Sequence, residues 1–279
     1  MKYKIVVDSC TDLNSDMRER MNVEIAPLSL EVDGIRYIDD DSFDIPAFLD
    51  KAEKSPTVPK SACPSPDDYL KAFRGEEEAV YVVTLSAELS GSYSTAVLAK
   101  GLLEEEDKAK KIHVFNSKSA ASGQVAITLK IQECINAQKN FDETVEIVES
   151  YIESMATIFV LEIIDHLQKA GRMSKMKATL ANVLNIKLVL KADANGEIQA
   201  HAQARGTKKA IDKMIEALPE VGTVSEDRVL VISHVLAEDR AKMIKAKIEA
   251  KYNFKEVIIV ATKGISSNYA NRGGIIMAY

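Results

Sequence analysis

The chain has 279 residues, of which 46% are hydrophobic and 28% charged. These proportions are those of a globular protein, and they exclude disordered, collagen-like and disulfide-scaffold classes. The formal net charge of -6 leaves no surplus of cations to neutralise a run of phosphates, so we do not expect nucleic-acid binding.

The first half of the chain alternates between strand-like and helix-like segments. Short runs rich in β-branched or aromatic residues, bounded by polar residues, glycine or proline, predict buried strands. These runs are Ile5–Val7, Val23–Val32, Val80–Leu85 and Ile112–Phe115.

The clearest helix of this half follows Asn140, which with Glu143 three residues later forms the pattern of a capping box. Its apolar residues recur at spacings of four and three, which places Phe141, Val145, Val148, Ile152 and Met155 on one helix face. Strands alternating with helices predict a parallel sheet covered on both faces. We therefore expect an N-terminal three-layer α/β/α domain over residues 1–156.

A second α/β domain with a mixed sheet is predicted over residues 157–279. It contains a hairpin, because two short strand-like runs flank the turn signal Asn195-Gly196. A helix with Ala237, Ala241, Ile244 and Ile248 on one face follows later. The predicted strands are Thr157–Ile163, Ile186–Leu190, Ile198–Ala202, Val229–Ser233 and Val257–Ala261.

The apolar runs are too short to cross a bilayer, and the segment Met1–Val7 lacks the pattern of a secretory signal. We therefore expect a cytoplasmic protein without a transmembrane segment. The cysteines Cys10, Cys63 and Cys134 are far apart and lack ligand spacing, so neither a disulfide framework nor a zinc site is expected.

A hydroxyl-rich loop follows the predicted strand Val80–Leu85 and leads into a helix. Ligands of open parallel sheets bind beyond the carboxyl ends of the strands, and a helix N-terminus favours an anion. The Ser90 hydroxyl and the Gly91 amide are therefore candidates to hold a carboxylate. The alternative is that Ser90 or Ser92 only caps the helix.

Three further segments carry candidate polar groups. The prolines after Ser61 would hold its hydroxyl in place, although this loop is also typical of a rigid turn. Arg172 and Arg205 each adjoin a glycine, and arginine binds carboxylate or phosphate through two parallel hydrogen bonds. Surface arginines without a ligand are the alternative at both positions.

The sequence lacks the usual signatures of catalysis, namely GxGxxG, GxxxxGK[ST], HExxH and GxSxG. Its histidines His113, His166, His201 and His234 are scattered, and none is paired at the i, i+4 spacing of a metal site. We expect no metal and no catalytic residue.

Taken together and in order, several short segments make the chain resemble the DegV family of bacterial lipid-binding proteins. They cover nearly its whole length. The segments are Asp8-Ser9-Cys10-Thr11-Asp12-Leu13, Ile25-Ala26-Pro27-Leu28, Ser61 to Pro66, Leu89-Ser90-Gly91-Ser92-Tyr93, Asn116-Ser117-Lys118, Lys169 to Ser174, Leu184-Asn185-Ile186-Lys187 and Arg205-Gly206.

The resemblance implies the DegV-like fold, also called the EDD fold, with one long-chain fatty acid held between two domains. The tail would lie in an apolar tunnel, where each buried methylene contributes about 0.8 kcal/mol before ordering costs. Characterised members are the fatty-acid-binding subunit of bacterial fatty acid kinase. They present the carboxylate to a separate ATP-binding subunit that makes acyl phosphate for phospholipid metabolism. The resemblance thus implies a carrier without cofactor or catalysis, in transient contact with membrane surfaces at most.

By the same resemblance, Ser61 and Ser90 take the positions of hydroxyl residues that touch the carboxylate. Arg172 and Arg205 match arginines near the ligand mouth and the kinase-facing surface. The family commonly ends with a His-x-Gly-Pro-Gly stretch whose histidine helps to hold the carboxylate, and that histidine is absent here. Its candidate substitutes are Asn268, Tyr269 and Arg272.

Two other functions remain open at the sequence level. One is a hydrolase or transferase with Ser90 as nucleophile, although no base to activate it is evident nearby. The other is a binding module for a different apolar ligand, which the altered C-terminal stretch makes plausible.

Overall fold

The computed structural model describes residues 2–173 and 185–279. Ser174 and Leu184, the outer residues of two segments that carry the family resemblance, lie outside these ranges. The strands are β1 (Tyr3–Asp8), β2 (Val23–Ala26), β3 (Ser29–Val32), β4 (Ile35–Ile38), β5 (Lys60–Ala62), β6 (Ala79–Thr84), β7 (Lys111–Asn116), β8 (Thr157–Val160), β9 (Ile186–Ala192), β10 (Ile198–Arg205), β11 (Val229–His234), β12 (Glu256–Ala261) and β13 (Ile275–Ala278). The helices are α1 (Ser15–Arg20), α2 (Ile45–Lys54), α3 (Pro66–Phe73), α4 (Ser92–Glu106), α5 (Ser122–Asn136), α6 (Phe141–Ser154), α7 (Asp165–Lys169), α8 (Thr207–Glu216), α9 (Leu218–Val221), α10 (Glu238–Glu249) and α11 (Gly264–Ala270).

The predicted parallel sheet is present, with strand order β2-β1-β6-β7 and every pairing parallel. Strand β6 is buried along its whole length because both of its faces are covered. Val80 and Val82 pack in one apolar cluster with α3 and α4, whereas Tyr81 and Val83 pack in another with α5 and α6. This confirms the three-layer arrangement.

The predicted mixed sheet is also present, with strand order β10-β9-β8-β13-β11-β12. The pair of β11 and β12 is parallel, and the other pairings are antiparallel. The hairpin of β9 and β10 turns at Gly196, whose positive φ of 89° suits glycine. The predicted strand Thr157–Ile163 is shorter in the structure and ends at Val160.

A third sheet, β4-β3-β5, was not predicted, because Val23–Val32 reads in the sequence as one strand. Pro27 divides that run. Proline has no amide hydrogen to donate to a ladder, so the chain leaves the parallel sheet there and re-pairs. Ser61, predicted to lie in a loop, instead lies on β5 and pairs with Leu30 of β3.

One apolar cluster joins the three sheets. It includes Leu30 from the three-stranded sheet, Leu85 directly after β6 of the parallel sheet, and Phe159 and Leu190 from the mixed sheet. Every strand of the parallel and three-stranded sheets precedes Thr157, and the described strands of the mixed sheet begin there. The division into domains at residues 156 and 157 stays a prediction.

Within residues 2–173 and 185–279, no helix combines the length and the apolar character needed to cross a membrane. The same residues contain no group of three or more histidine, cysteine, aspartate or glutamate side chains placed to hold a metal ion.

The capping box predicted at the start of α6 is present in the structure and can be tested by mutation. Asn140 Oδ1 accepts a hydrogen bond from the Glu143 amide at 3.0 Å, and Glu143 Oε2 accepts one from the Asn140 amide at 2.9 Å. Asn140→Ala removes the side-chain acceptor and should lower the free energy of unfolding in urea by about 1 kcal/mol. Glu146→Ala, on the exposed face of the same helix, should change it by less than about 0.5 kcal/mol. Equal effects would contradict the cap.

Candidate ligand site

An apolar cavity lies between the parallel sheet, the mixed sheet and α11. Strand β8 and the residue after it supply Thr157, Phe159 and Leu161, alternate residues that face one side of the sheet. Helix α11 supplies Ile265, Ser266 and Tyr269. Several lining residues also belong to the apolar cluster that joins the three sheets, among them Leu85, Leu167, Ile198 and Ala270. The cavity is therefore a gap in that core.

The β9–β10 hairpin closes the cavity on one side. Gly196 lines it, and the Gly196 carbonyl accepts a hydrogen bond from Ser86 Oγ at 2.9 Å. A Cβ at Gly196 would lie 2.4 Å from Ser86 Oγ and 2.7 Å from Lys118 Cα. The close approach of the hairpin to the loop after β6 thus requires glycine.

A pair of hydroxyl groups lies at the edge of the cavity. Ser61 Oγ on β5 and Tyr269 Oη on α11 are 2.7 Å apart, and both residues are half-buried. Tyr269 itself lines the cavity. Among the candidate substitutes for the family's histidine, Tyr269 is thus the one that contacts Ser61, a residue predicted to bind the carboxylate.

Ser90 and Gly91 immediately precede α4. The sequence gives Ser90 two alternative roles, capping this helix or holding a carboxylate. Ser90 Oγ accepts a hydrogen bond from the Ser92 amide at 3.2 Å, a local turn contact, and the N-cap residue of α4 is Gly91. The hydroxyl keeps its proton for a further acceptor. A Cβ at Gly91 would lie 3.4 Å from Cys63 Sγ, so this loop packs beside the segment that follows Ser61.

A buried carboxylate accepts hydrogen bonds from both ends of this loop. Asp8, at the end of β1, is fully buried and accepts hydrogen bonds from Ser92 Oγ at 2.7 Å, the Leu85 amide at 2.8 Å and Gln124 Nε2 at 2.8 Å. Burial raises the pKa of Asp8, and these hydrogen bonds lower it in part. Tyr69 Oη lies 2.6 Å from Ser92 Oγ and extends the network.

The two arginines predicted near the ligand lie in different places. Arg172 is exposed, lines the cavity, and donates from Nε to the Leu89 carbonyl at 3.1 Å, directly beside Ser90. Arg205 is the exposed last residue of β10 and is not among the residues that line the cavity.

The other two substitutes for the histidine lie away from the cavity wall. Arg272 is bound by the acidic residues of α2, with Nη2 donating to Asp50 and Nε 3.5 Å from Glu53 Oε1. Asn268 is fully buried on α11, and neither polar atom of its side chain has a hydrogen-bond partner among the described residues. Its backbone carbonyl accepts from His166 Nδ1 at 2.7 Å.

Helix α11 is held at its start by two buried carboxylates. Asp39 accepts hydrogen bonds from the amides of Gly264 at 2.7 Å and Ile265 at 3.0 Å, and Asp12 accepts one from the Lys263 amide at 2.8 Å. Burial raises the pKa of Asp12 to about 7 and that of Asp39 to about 6. Both carboxylates therefore fix the helix that carries Tyr269.

The sequence alone indicates no role for Asp8, Asp12 or Asp39. Asp8 and Asp12 belong to a segment that carries the family resemblance, and Asp8 directly follows the run Ile5–Val7. A carboxylate at the end of a buried strand was the available signal. Asp39 lies in an acidic cluster that is typical of a solvated turn.

The chain resembles known proteins over its whole length. The model of the DegV family matches residues 2–277. A DegV domain-containing protein of Streptococcus pneumoniae is 33% identical over 281 residues, covering 100% of this chain and 99% of the relative.

Solved structures of similar proteins contain fatty acids. A DegV family protein of Ruminococcus gnavus, refined with vaccenic acid, is 42% identical with a TM-score of 0.96 and coverage of 99% of both chains. The fatty acid kinase B3 protein of Streptococcus pneumoniae, loaded with linoleic acid, is 33% identical with a TM-score of 0.93, covering 100% of this chain and 99% of that one. A DegV family protein of Eubacterium eligens, loaded with heptadecanoic acid, is 32% identical with a TM-score of 0.91, covering 99% of this chain and 98% of that one.

The anchor of α11 predicts a specific pH dependence of stability. Burial raises the pKa of Asp12 from its ordinary 3.8 to about 7 in the folded state, so between these pH values the folded chain binds a proton that the unfolded chain releases. Its contribution to stability is full below about pH 4 and is lost as the pH rises through about 7. Asp12→Asn should therefore weaken the fall in the free energy of unfolding over this range, measured by urea titration at several pH values. Asp227→Asn, at an exposed position, should keep the wild-type slope. An unchanged slope in Asp12→Asn would contradict the assignment.

Proposed function

The chain belongs to the DegV family, and from its cavity we propose that it binds a long-chain fatty acid and presents the carboxylate to a separate kinase subunit. The observation that carries the proposal is the pair of Ser61 and Tyr269 at the edge of a predominantly apolar cavity. An apolar gap that ends in hydroxyl donors suits a molecule with a long tail and an anionic head. Relatives with fatty acids in their structures support the same ligand class.

The head of the ligand would be held by neutral donors. Ser61 and Tyr269 each carry one O–H donor, and each hydroxyl can turn from its partner towards a carboxylate oxygen. The Ser90 hydroxyl and the Gly91 amide add donors from the loop before α4. Tyr269 would thus take the part that histidine plays elsewhere in the family.

The charge of the head would be offset by Arg172. Its Nε bond to the Leu89 carbonyl holds the guanidinium at the cavity wall beside Ser90. An exposed cation at this point would also attract the phosphate of an approaching nucleotide. Arg205 adds a second exposed cation, which we assign to contact with the kinase subunit rather than with the fatty acid.

In this proposal the chain is a carrier and not the catalyst, and a partner that binds ATP performs the phosphoryl transfer. The similar protein of Streptococcus pneumoniae is named as a component of fatty acid kinase, which supports this division of labour. Because the partner consumes ATP, we also place the chain in the cytoplasm. Ser90 has a backbone amide as its hydrogen-bond partner rather than a base, so the described contacts do not favour a serine nucleophile.

The head-group site can be tested by binding. Native mass spectrometry of the purified chain should detect a bound fatty acid, and lipid extraction should identify it. Ser61→Ala and Tyr269→Phe each remove a hydrogen bond to a charged group and should raise the Kd for octadecanoic acid about tenfold. Tyr37→Phe is the matched control and should bind as wild type. A chain that is repeatedly isolated empty and that does not take up added fatty acid would overturn the proposal.

The arginines separate ligand binding from partner contact. In a coupled assay with ATP and the kinase subunit, Arg205→Gln should raise the carrier concentration needed for half-maximal acyl phosphate formation several-fold without changing the Kd for the fatty acid. Arg172→Gln should affect both quantities, because it neighbours the head group. Lys108→Gln changes an exposed cation two residues beyond the end of α4; it is the control and should change neither. If Arg205→Gln behaves like this control, Arg205 is not part of the kinase contact.

A further inference from the structure

The cavity contains a second pair of hydroxyl groups that the proposed head-group site does not use. Ser119 and Thr157 both line the cavity, are 2% and 7% exposed, and place Ser119 Oγ 2.7 Å from Thr157 Oγ1. We call them the distal hydroxyl pair. Their neighbours along this wall are apolar, among them Ala120, Ala121, Phe159 and Ile276.

The distal hydroxyl pair has more hydrogen-bonding capacity than the protein uses. Two hydroxyls carry two protons and four lone pairs, and one proton lies between the two oxygens. If Thr157 donates to Ser119, the Ser119 proton is left over, and its acceptor among the described residues is the Ala120 carbonyl at 3.4 Å. That distance is well beyond the usual 2.5–3.0 Å of an O–H···O bond. One donor and several lone pairs are therefore left without a well-placed partner among the described residues.

Both residues are held rigidly by the backbone. The Ser119 carbonyl accepts from the Ser86 amide at 2.8 Å, and the Ser119 amide donates to Ser117 Oγ at 3.1 Å. Thr157 begins β8 and pairs with Ala278 of β13. A ligand group that forms hydrogen bonds to this pair would therefore cause little loss of side-chain conformational entropy.

The pair lies at the start of β8, at the opposite end of this strand's cavity wall from Leu161. Along β8 the cavity wall runs from Thr157 through Phe159 to Leu161, which is about 13 Å at the rise of an extended strand. Beyond Leu161 the wall continues with Leu167, whose carbonyl accepts from the Arg172 amide at 2.9 Å. An acid whose carboxylate lies near Arg172 would thus bring the middle or far part of its tail to the distal hydroxyl pair.

We propose that the distal hydroxyl pair is a subsite for an oxygen-bearing substituent on the acyl chain, and that the protein prefers hydroxylated long-chain fatty acids to unsubstituted ones. This inference rests on the proposed function and narrows its ligand class. A chain hydroxyl would accept the spare proton and donate to a free lone pair. An unsubstituted tail leaves both groups unmatched, and burying a polar group without a partner is unfavourable.

The test compares octadecanoic acid with a series of hydroxyoctadecanoic acids whose hydroxyl is moved stepwise along the chain. Isothermal titration calorimetry on the delipidated wild-type chain should show a tighter Kd for the matching isomer, by about five- to tenfold over octadecanoic acid. In the double variant Ser119→Ala/Thr157→Val this preference should disappear, while octadecanoic acid binds as tightly as before or tighter. Opposite effects on the two ligands distinguish a lost subsite from a damaged fold, which would weaken both.

Two further variants complete the design. Thr157→Ser keeps the hydroxyl and should keep the preference. Thr144→Val makes a buried threonine-to-valine change on α6, outside the cavity, and should alter neither Kd. If wild type binds octadecanoic acid but no hydroxylated isomer more tightly, or if the double variant keeps the preference, the subsite is refuted and the proposed function stands. If wild type binds none of these acids, the proposed function fails as well.

Discussion

The geometry of the candidate ligand site depends on how the start of α11 is held. The amides of residues 263–265 donate to the carboxylates of Asp12, in the loop after β1 of the parallel sheet, and Asp39, directly after β4 of the three-stranded sheet. A helix this short is not stable by itself, so its position comes from these contacts and from packing. The position of α11 places Tyr269 beside Ser61 and forms one wall of the cavity. Two carboxylates that are costly to bury thus fix the geometry of a site to which they contribute no atom.

Asp8 has a corresponding role on the other side of the site. It ties together the Leu85 amide, the Ser92 hydroxyl and the Gln124 amide group, and so fixes the ends of the loop that carries Ser90 and Gly91. Two of the elements that carry the proposed carboxylate site, α11 and the loop before α4, are therefore held by buried acids. Rigid support of this kind lets weak neutral donors orient an anion without a large ordering cost.

Much of the fold can be predicted from the sequence because its strands are continuous buried runs. Val80–Leu85 is apolar on both faces, which is typical of a parallel sheet, and Asn140 with Glu143 marks a helix start. The three-stranded sheet could not be predicted because its strands are short. In the sequence, a single proline, Pro27, marks the break between β2 and β3. Serine and arginine candidates could be named, but their neighbours could not. Ser61 and Tyr269 are 208 residues apart, and Ser119 and Thr157 are 38 apart, so no local pattern joins them.

The cavity and the apolar cluster that joins the three sheets share much of their lining, and this links occupancy to folding. An empty cavity at this position would deprive the surrounding side chains of contacts that a well-packed interior gives. A bound tail would act as an interior side chain that is not covalently attached. Its binding energy would add to the free energy of unfolding in proportion to the logarithm of its concentration. The supply of ligand would then set how long the polypeptide survives, as well as how much of it is ready for use.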